Sequence, residues 1–369
     1  MASASSTATE APAPPADGAI EGDGGRSRRE APILLSVVAL AGLLLLTVVV
    51  ATGVGAVGIA RSNVLSTVVH HLGLGSGPDA AGPVDGIVWN LRLPRILMAA
   101  LCGMGLAGVG VVMQGVTRNP LADPYLLGLS SGASLGAVTV VALGLGAVGS
   151  PALTLGAFIG ATVAFALVLV LASGDGRLPP VRTILAGVAI GEAMAAATSF
   201  VTISSTNAQA TRSLLVWLLG GFAGTSWADL PLVAALVLAF AIASRGDARV
   251  LDALALGDDT AETLGIPVLA SRRLLLVSCA LLTAVLVAAN GAIGFVGLVV
   301  PHLVRPVVGA RHGRVLPVAM LTGGIFLVIV DAVARTSFAP REVPVGVITA
   351  LVGAPFFAWQ IRRQGQRGR

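Results

Sequence analysis

After a polar start of about thirty residues, apolar stretches of spanning length, or close to it, recur along the whole chain. They fall at roughly 33–57, 93–115, 126–148, 151–172, 183–202, 229–244, 274–291, 294–310, 315–334 and 343–361. A bilayer core takes about 20 helical residues, with about 17 at the lower end, and a helix that is apolar all round belongs in lipid. The pattern predicts an all-α polytopic membrane protein with ten transmembrane helices, which puts both termini on one side. The eighth stretch is interrupted by Gly297, Pro301, His302 and Arg305. Residues 1–31 lack apolar periodicity and read as a disordered cytoplasmic tail, residues 32–361 as the transmembrane domain, and residues 362–369 as a cytoplasmic C-terminal tail. The first apolar run is long enough to span and has no Ala-x-Ala boundary behind a short core, so a cleaved signal peptide is not expected.

Composition points the same way. Hydrophobic residues make up 55% of the chain and charged ones 11%, with a mean hydropathy of +0.91; a soluble domain has too little interior for this much apolar surface. Transport or channel function therefore precedes soluble catalysis. All 23 basic residues are Arg. With both ends inside, only Arg61, Arg92, Arg95, Arg212, Arg335 and Arg341 fall outside, as the positive-inside rule requires. The high isoelectric point is thus a topology signal, and an aromatic share of 4% gives no stacking face for nucleic acid. Cys102 and Cys279 lie in separate spans and read as small buried hydrophobes. The 47 glycines stand out. Gly128, Gly132 and Gly136 repeat every four residues, a register that lets membrane helices approach closely.

Five polar constellations interrupt the apolar pattern. Arg92 and Arg95 flank Pro94 at the outer start of the second span, three apart and so on one face; they are either interface snorkels or a docking surface for an acidic partner. At the inner end of that span, Gln114 needs a partner in or near hydrocarbon, either as a structural lock or as a substrate ligand. Behind it Asn119, Pro120 and Pro124 shape a stiff turn. The longest inner loop, residues 251–266, predicts two short helices joined at Gly257, with Asp258 or Asp259 as a cap and Gly265 as a stop. Leu254, Leu256, Leu264 and Ile266 would then be exposed, calling either for a protein partner or for the membrane surface. Pro301 and three glycines break the eighth span, where His302 reads as a hydrogen-bonded structural residue. Asp331 and Arg335 are spaced either to pair on one helical face or to serve as a proton relay in the membrane, and Glu342 precedes the last span where it favours the helix dipole.

The fifth span carries Thr183, Glu192, Thr198, Ser199 and Thr202. An intramembrane Glu is a functional candidate, whereas the hydroxyls can either line a pathway or bond back to the carbonyl four residues before. No GxxxxGK[ST] segment occurs, so ATP-driven work would need a separate subunit.

At these residues the chain resembles the FecCD-type permeases, the membrane subunits of bacterial ABC importers for iron–siderophores, cobalamin and haem. The matching stretches are RLPR (Arg92 to Arg95), GxxLAxxGxxxQ (Gly103 to Gln114), RNPLADPYLLGLSSGA (Arg118 to Ala133), WLLGG (Trp217 to Gly221) and LALGDDTAETLG (Leu254 to Gly265). GAIGFVGLVVPHLVR (Gly291 to Arg305), DAVARTSFAPREVPVG (Asp331 to Gly346) and TALVGAPFF (Thr349 to Phe357) come next, in the family's order. Gly221 departs from the family's frequent Ser.

The resemblance implies a type II ABC importer permease with ten helices per subunit and a homo- or heterodimer around a central pathway. Two cytoplasmic ATPase subunits holding ATP and magnesium would sit beneath it, and an extracytoplasmic binding protein above, which could be a lipoprotein. It makes Leu254, Leu256, Gly257, Asp258, Leu264 and Gly265 part of the coupling helices, and Arg92, Arg95 and Arg335 the contacts of the binding protein. It also implies no catalytic residue, cofactor or metal ligand in this chain, a cytoplasmic-membrane location, and an iron–siderophore as the commonest cargo. The bottom-up candidate for the pathway is the fifth span, with a gate near Thr183. A lone secondary transporter or channel, or a membrane scaffold, are the readings from other classes.

Overall fold

A computed structural model describes residues 24–55, 58–71, 73, 82–173, 178–205, 207–339 and 341–367, and it is helical throughout with no strand among them. In chain order the helices are α1 (Gly24–Gly53), α2 (Arg61–His71), α3 (Pro83–Asp85), α4 (Leu93–Thr117), α5 (Leu129–Ala142), α6 (Pro151–Ala172), α7 (Pro180–Ser204) and α8 (Ala208–Leu218). Then come α9 (Leu230–Gly246), α10 (Ala248–Leu256), α11 (Asp258–Thr263), α12 (Val268–Asn290), α13 (Val296–Val308), α14 (His312–Thr336) and α15 (Val345–Arg367).

Seven helical segments among the described residues are long and apolar enough to cross a membrane: Ile33–Gly53, Pro83–Thr117, Pro151–Ala172, Pro180–Ser204, Trp227–Gly246, Val268–Asn290 and His312–Thr336. Three apolar helices are shorter, Leu129–Ala142, Val296–Val308 and Val345–Gln360, and they lie at the third, eighth and tenth stretches of the sequence pattern. Turn chemistry shortens two of them. The third is bounded by Gly128 (φ +71°) and Gly144 (φ +68°). The eighth starts late because Phe295 takes φ +68°, a left-handed conformation that a non-glycine residue rarely adopts. Two boundaries differ from expectation: helix α1 already begins at Gly24, inside the stretch read as a tail, and α15 continues to Arg367. Residues 1–23 lie outside the described residues.

Helix α4 is the centre of the bundle. The apolar window of Pro83–Thr117 is 83% buried, against 6% for α1 and 11% for α7. Glycines explain how neighbours come so close. A methyl group on Gly103 would collide with the carbonyl of Gly323 in α14, and one on Gly110 with the carbonyl of Gly297 in α13. The i,i+4 face of α5 works the same way, with Gly132 against Gly160 and Gly136 against Gly156 of α6. In lipid, where apolar side chains gain nothing by leaving solvent, such backbone-to-backbone contact is a main source of helix association.

The entry to α4 is π-helical over Gly86–Arg92, and Leu93 donates its N–H to Val88 five residues back. Pro94 then leaves a carbonyl open. In that register the next donor would serve the Trp89 carbonyl, but proline has no N–H. The indole N–H of Trp227 donates to the Trp89 oxygen instead, at 2.9 Å, and the two indoles lie 4.7 Å apart. Trp89 also stacks on His71, which pairs with Asp85 at 3.1 Å.

Candidate functional site: an ion-pair cluster, a two-helix loop and an exposed helix

Three groups of sequence-selected residues occupy distinct parts of the bundle. The first lies where α1 ends and α4 begins. Arg95 donates to Asp331 and to Glu342, each at 2.8 Å, and Arg335 pairs with Asp331 at 3.0 Å. Asp331 has no exposed side-chain surface. Arg335 further donates to the carbonyls of Val54 (2.9 Å) and Ala51 (3.2 Å), and Arg92 to that of Thr52 (3.0 Å). The last carbonyls of a helix have no intrahelical donors, so two guanidinium groups finish α1 and bind it to α4 and α14.

The arginines expected to meet a binding protein, Arg92, Arg95 and Arg335, therefore lie mostly inside this subunit. Arg92 and Arg335 are buried and Arg95 is nearly so, because each meets acceptors that the linear sequence does not reveal. The Asp331–Arg335 pair is present as expected, but Arg95 makes it a cluster. Glu342 serves as the partner of Arg95. A cavity of about 230 Å³ beside the cluster is lined by Arg95, Trp217, Asn290 and Glu342 among others.

The second group lies at the other end of α4. Gln114 donates to the Gly297 carbonyl at 3.1 Å and accepts from Arg305, so it locks α4 to the start of α13. Asn119 accepts from the Leu121 N–H at 2.9 Å, holding the turn that contains Pro120. Tyr125 donates to the Ile293 carbonyl and accepts from the Ile293 N–H, both at 2.9 Å; these bonds satisfy backbone left open by the non-helical stretch before α13. Pro301 is buried within α13. His302 contacts Gln360 and stands edge-on to Phe356, tying α13 to α15.

Helices α10 and α11 meet here at Gly257, whose φ of +124° suits glycine alone. Two charged anchors hold them. Asp258 receives Arg272 through two bonds of 2.7 and 3.1 Å, with Arg118 at 3.4 Å, and Asp252 pairs with His312 at 2.7 Å. Asp258 thus lies in the first turn of α11 as an anchor, while Gly257 occupies the cap position. Leu254, expected to be exposed, is fully buried, because it faces inward from α10. Leu256 and Leu264 are 71% and 64% exposed, and Gly265 ends the pair with φ +78°.

The third group is α7. Its hydroxyls bond back along their own helix: Thr183 to Pro179 at 3.0 Å, Thr198 to Met194 at 2.8 Å, Ser199 to Ala195 at 3.0 Å and Thr202 to Thr198 at 2.7 Å. Thr183, the expected gate, and Thr198, an expected lining residue, are buried in this subunit and line no open face of it. Glu192 and Ser199 are exposed.

Sequence reasoning missed Arg272, Tyr125, His312 and Trp227. Tyr125 is the only Tyr of the chain and one of its few aromatic residues, which was a usable signal. The others gain their meaning from partners far away in sequence. Among the described residues no group of three or more His, Cys, Asp or Glu could hold a metal ion.

A helical bundle of this apolarity, tied together by buried ion pairs, is that of a polytopic membrane protein. Residues 43–363 match the FecCD transport family, and the chain belongs to it; it is a permease and not an enzyme. It is 43% identical over 282 residues to the cobalamin import system permease protein BtuC of Halobacterium salinarum, covering 75% of this chain and 73% of that one. It is 42% identical to the hemin transport system permease protein HmuU of Yersinia pestis, over 76% and 84% of the two chains. Identity to the Fe(3+) dicitrate transport system permease protein FecD of Escherichia coli is 40%, over 75% and 85%. Among solved structures, one described as an inward-facing metal-chelate type ABC transporter superposes with a TM-score of 0.77 at 31% identity, covering 89% of this chain and 98% of that one.

Proposed function

We propose that this permease belongs to an ATP-driven importer that carries a metal chelate across the cytoplasmic membrane, with an iron–siderophore complex as the first candidate and cobalamin or haem as the alternatives. The relatives named for cobalamin, hemin and ferric dicitrate are nearly equally similar, which supports the class of cargo more than any member of it. In this reading all ten apolar helices cross the membrane, both termini are cytoplasmic, and two permease subunits enclose the pathway.

The observation that carries the reading is the two-helix loop. Leu256 and Leu264 project from a segment pinned by Asp258 and Asp252. Rigid anchoring with an apolar tip suits transmission of force from a subunit beneath it. ATP and magnesium would be held there, in two ATPase subunits. Delivery from an extracytoplasmic binding protein would occur at the end carrying the arginine cluster. Docking through that cluster starts where Glu342 is still half-exposed: an acidic group of the binding protein can take its place on Arg95. The pathway follows the exposed face of α7 that bears Glu192 and Ser199.

The test is uptake of labelled ferric siderophore, haem and cobalamin by a deletion strain and its complemented partner. Loss of one cargo, restored on complementation, identifies it. Unchanged uptake of all three overturns the proposal.

A further inference from the structure

Glu192 stands at the middle of α7, among exposed Leu185, Val188, Ala189, Ala195 and Ala196. It is exposed, and among the described residues it has no hydrogen bond or ion pair. A charged side chain held at the centre of a span against lipid costs about 2.5–3.5 kcal/mol even by insertion scales. Nothing on α7 offsets that cost, because the nearby hydroxyls of Thr198, Ser199 and Thr202 are already directed along their own helix. The face bearing Glu192 therefore turns away from lipid.

Symmetry supplies its neighbour. In the homodimer form of the proposed permease, closed by a two-fold axis that runs along the pathway, a pathway-lining residue meets its own copy. Two carboxylates brought together in this way repel each other, and water or a cation between them relieves the repulsion. A narrow passage with low-dielectric walls strengthens the field of such charges, and rings of acidic side chains select cations in pores. We propose that Glu192 makes the middle of the pathway an acidic belt, which favours neutral or cationic chelates and slows anionic ones. This rests on the pathway reading of α7 given above.

The test uses the full transporter, permease with its ATPase subunits, in nanodiscs. Cys102 and Cys279, each 1% exposed, are replaced by Ala, and Ser199→Cys supplies one reporter about 10 Å along the helix from Glu192. Modification rates are measured with a trimethylammonium and a sulfonate thiosulfonate reagent, in nucleotide-free and ATP-trapped states, and expressed as a cationic-to-anionic ratio relative to a free thiol. The reporter should react in at least one state. Glu192→Gln should lower the ratio by at least about threefold, and Glu192→Asp should retain it. A reactive reporter whose ratio ignores Glu192→Gln overturns the acidic belt and leaves the pathway standing. A reporter silent toward both reagents in both states, yet reactive after unfolding, overturns the pathway reading itself and the belt with it.

Discussion

Trp227 gives its indole N–H to the carbonyl of Trp89 at 2.9 Å, a carbonyl left without a backbone donor by Pro94. The bond joins the short turn before α9 to the π-helical entry of α4, and it replaces what proline removed. Trp227→Phe should keep the ring packing and lose the donor, lowering stability by about 1 kcal/mol for a part-buried acceptor left unmatched. Adding Pro94→Ala should return part of that loss, since alanine restores an N–H at the right place. Thermal unfolding of the detergent-solubilised single and double variants measures both effects; simple additivity would sink this account of the π-helical turn.

Leu256 is exposed, so Leu256→Asp should leave folding and membrane insertion intact. Loss of ATPase subunits on co-purification, with uptake reduced at least about tenfold, is the expected result, equivalent to about 1.4 kcal/mol or more at the interface. Gly257→Pro should act through geometry instead, since proline cannot take a positive φ. Normal ATPase retention in Leu256→Asp would place the contact elsewhere.

The buried cluster makes charge reversal a folding test as well as a docking test. Arg92→Glu together with Arg95→Glu would set new carboxylates against Asp331 and the carbonyls of α1. Breaking one partner out of a buried pair already costs about 3–5 kcal/mol, so the double reversal should cut membrane yield sharply. Asp331→Asn should lose less, because the amide oxygen still accepts from Arg95 and no new charge is added, although its NH2 then faces Arg335 and forfeits that contact. Quantitative immunoblots of membrane fractions decide between these outcomes.

Gly103→Val should disrupt assembly of α4 on α14, because its side chain would enter the Gly323 carbonyl. Gly221→Ser is the control: nothing lies within 4 Å of a side chain added there, and uptake should be unchanged. Protease resistance of the two variants in native membranes separates them. Equal resistance would mean that the α4–α14 contact relaxes without cost.

The all-α membrane fold was legible because apolar periodicity is local, and so were Gly257 and the Asp331–Arg335 pair, whose partners are a few residues away. The lengths of α5 and α13 were not. They depend on left-handed turns at Gly128, Gly144 and Phe295, and a phenylalanine carries no mark of that role. Arg95 and Arg272 were misjudged or missed for a different reason: Asp331 lies 236 residues from Arg95, and no spacing rule spans that distance. The role of the hydroxyl-rich fifth span was not legible, since Thr looks alike in sequence whether it faces a pathway or its own backbone.

The glycine seams of α4 divide the molecule into parts that can move and parts that cannot. With the backbones of Gly103 and Gly323, and of Gly110 and Gly297, in direct contact, neither neighbour can slide by a residue without driving a side chain into a carbonyl. Helices α4, α13 and α14 are then a fixed block, while α7, whose Gly187 lies against the Leu126 carbonyl, is seated on α5 and α6 and can rock only with them. Amide exchange should be equally slow across the block in nucleotide-free and ATP-trapped states and should differ between them in α7. For the proposed importer, alternating access would then be a matter of a rigid keel and a hinged wall, with glycine deciding which helix belongs to which.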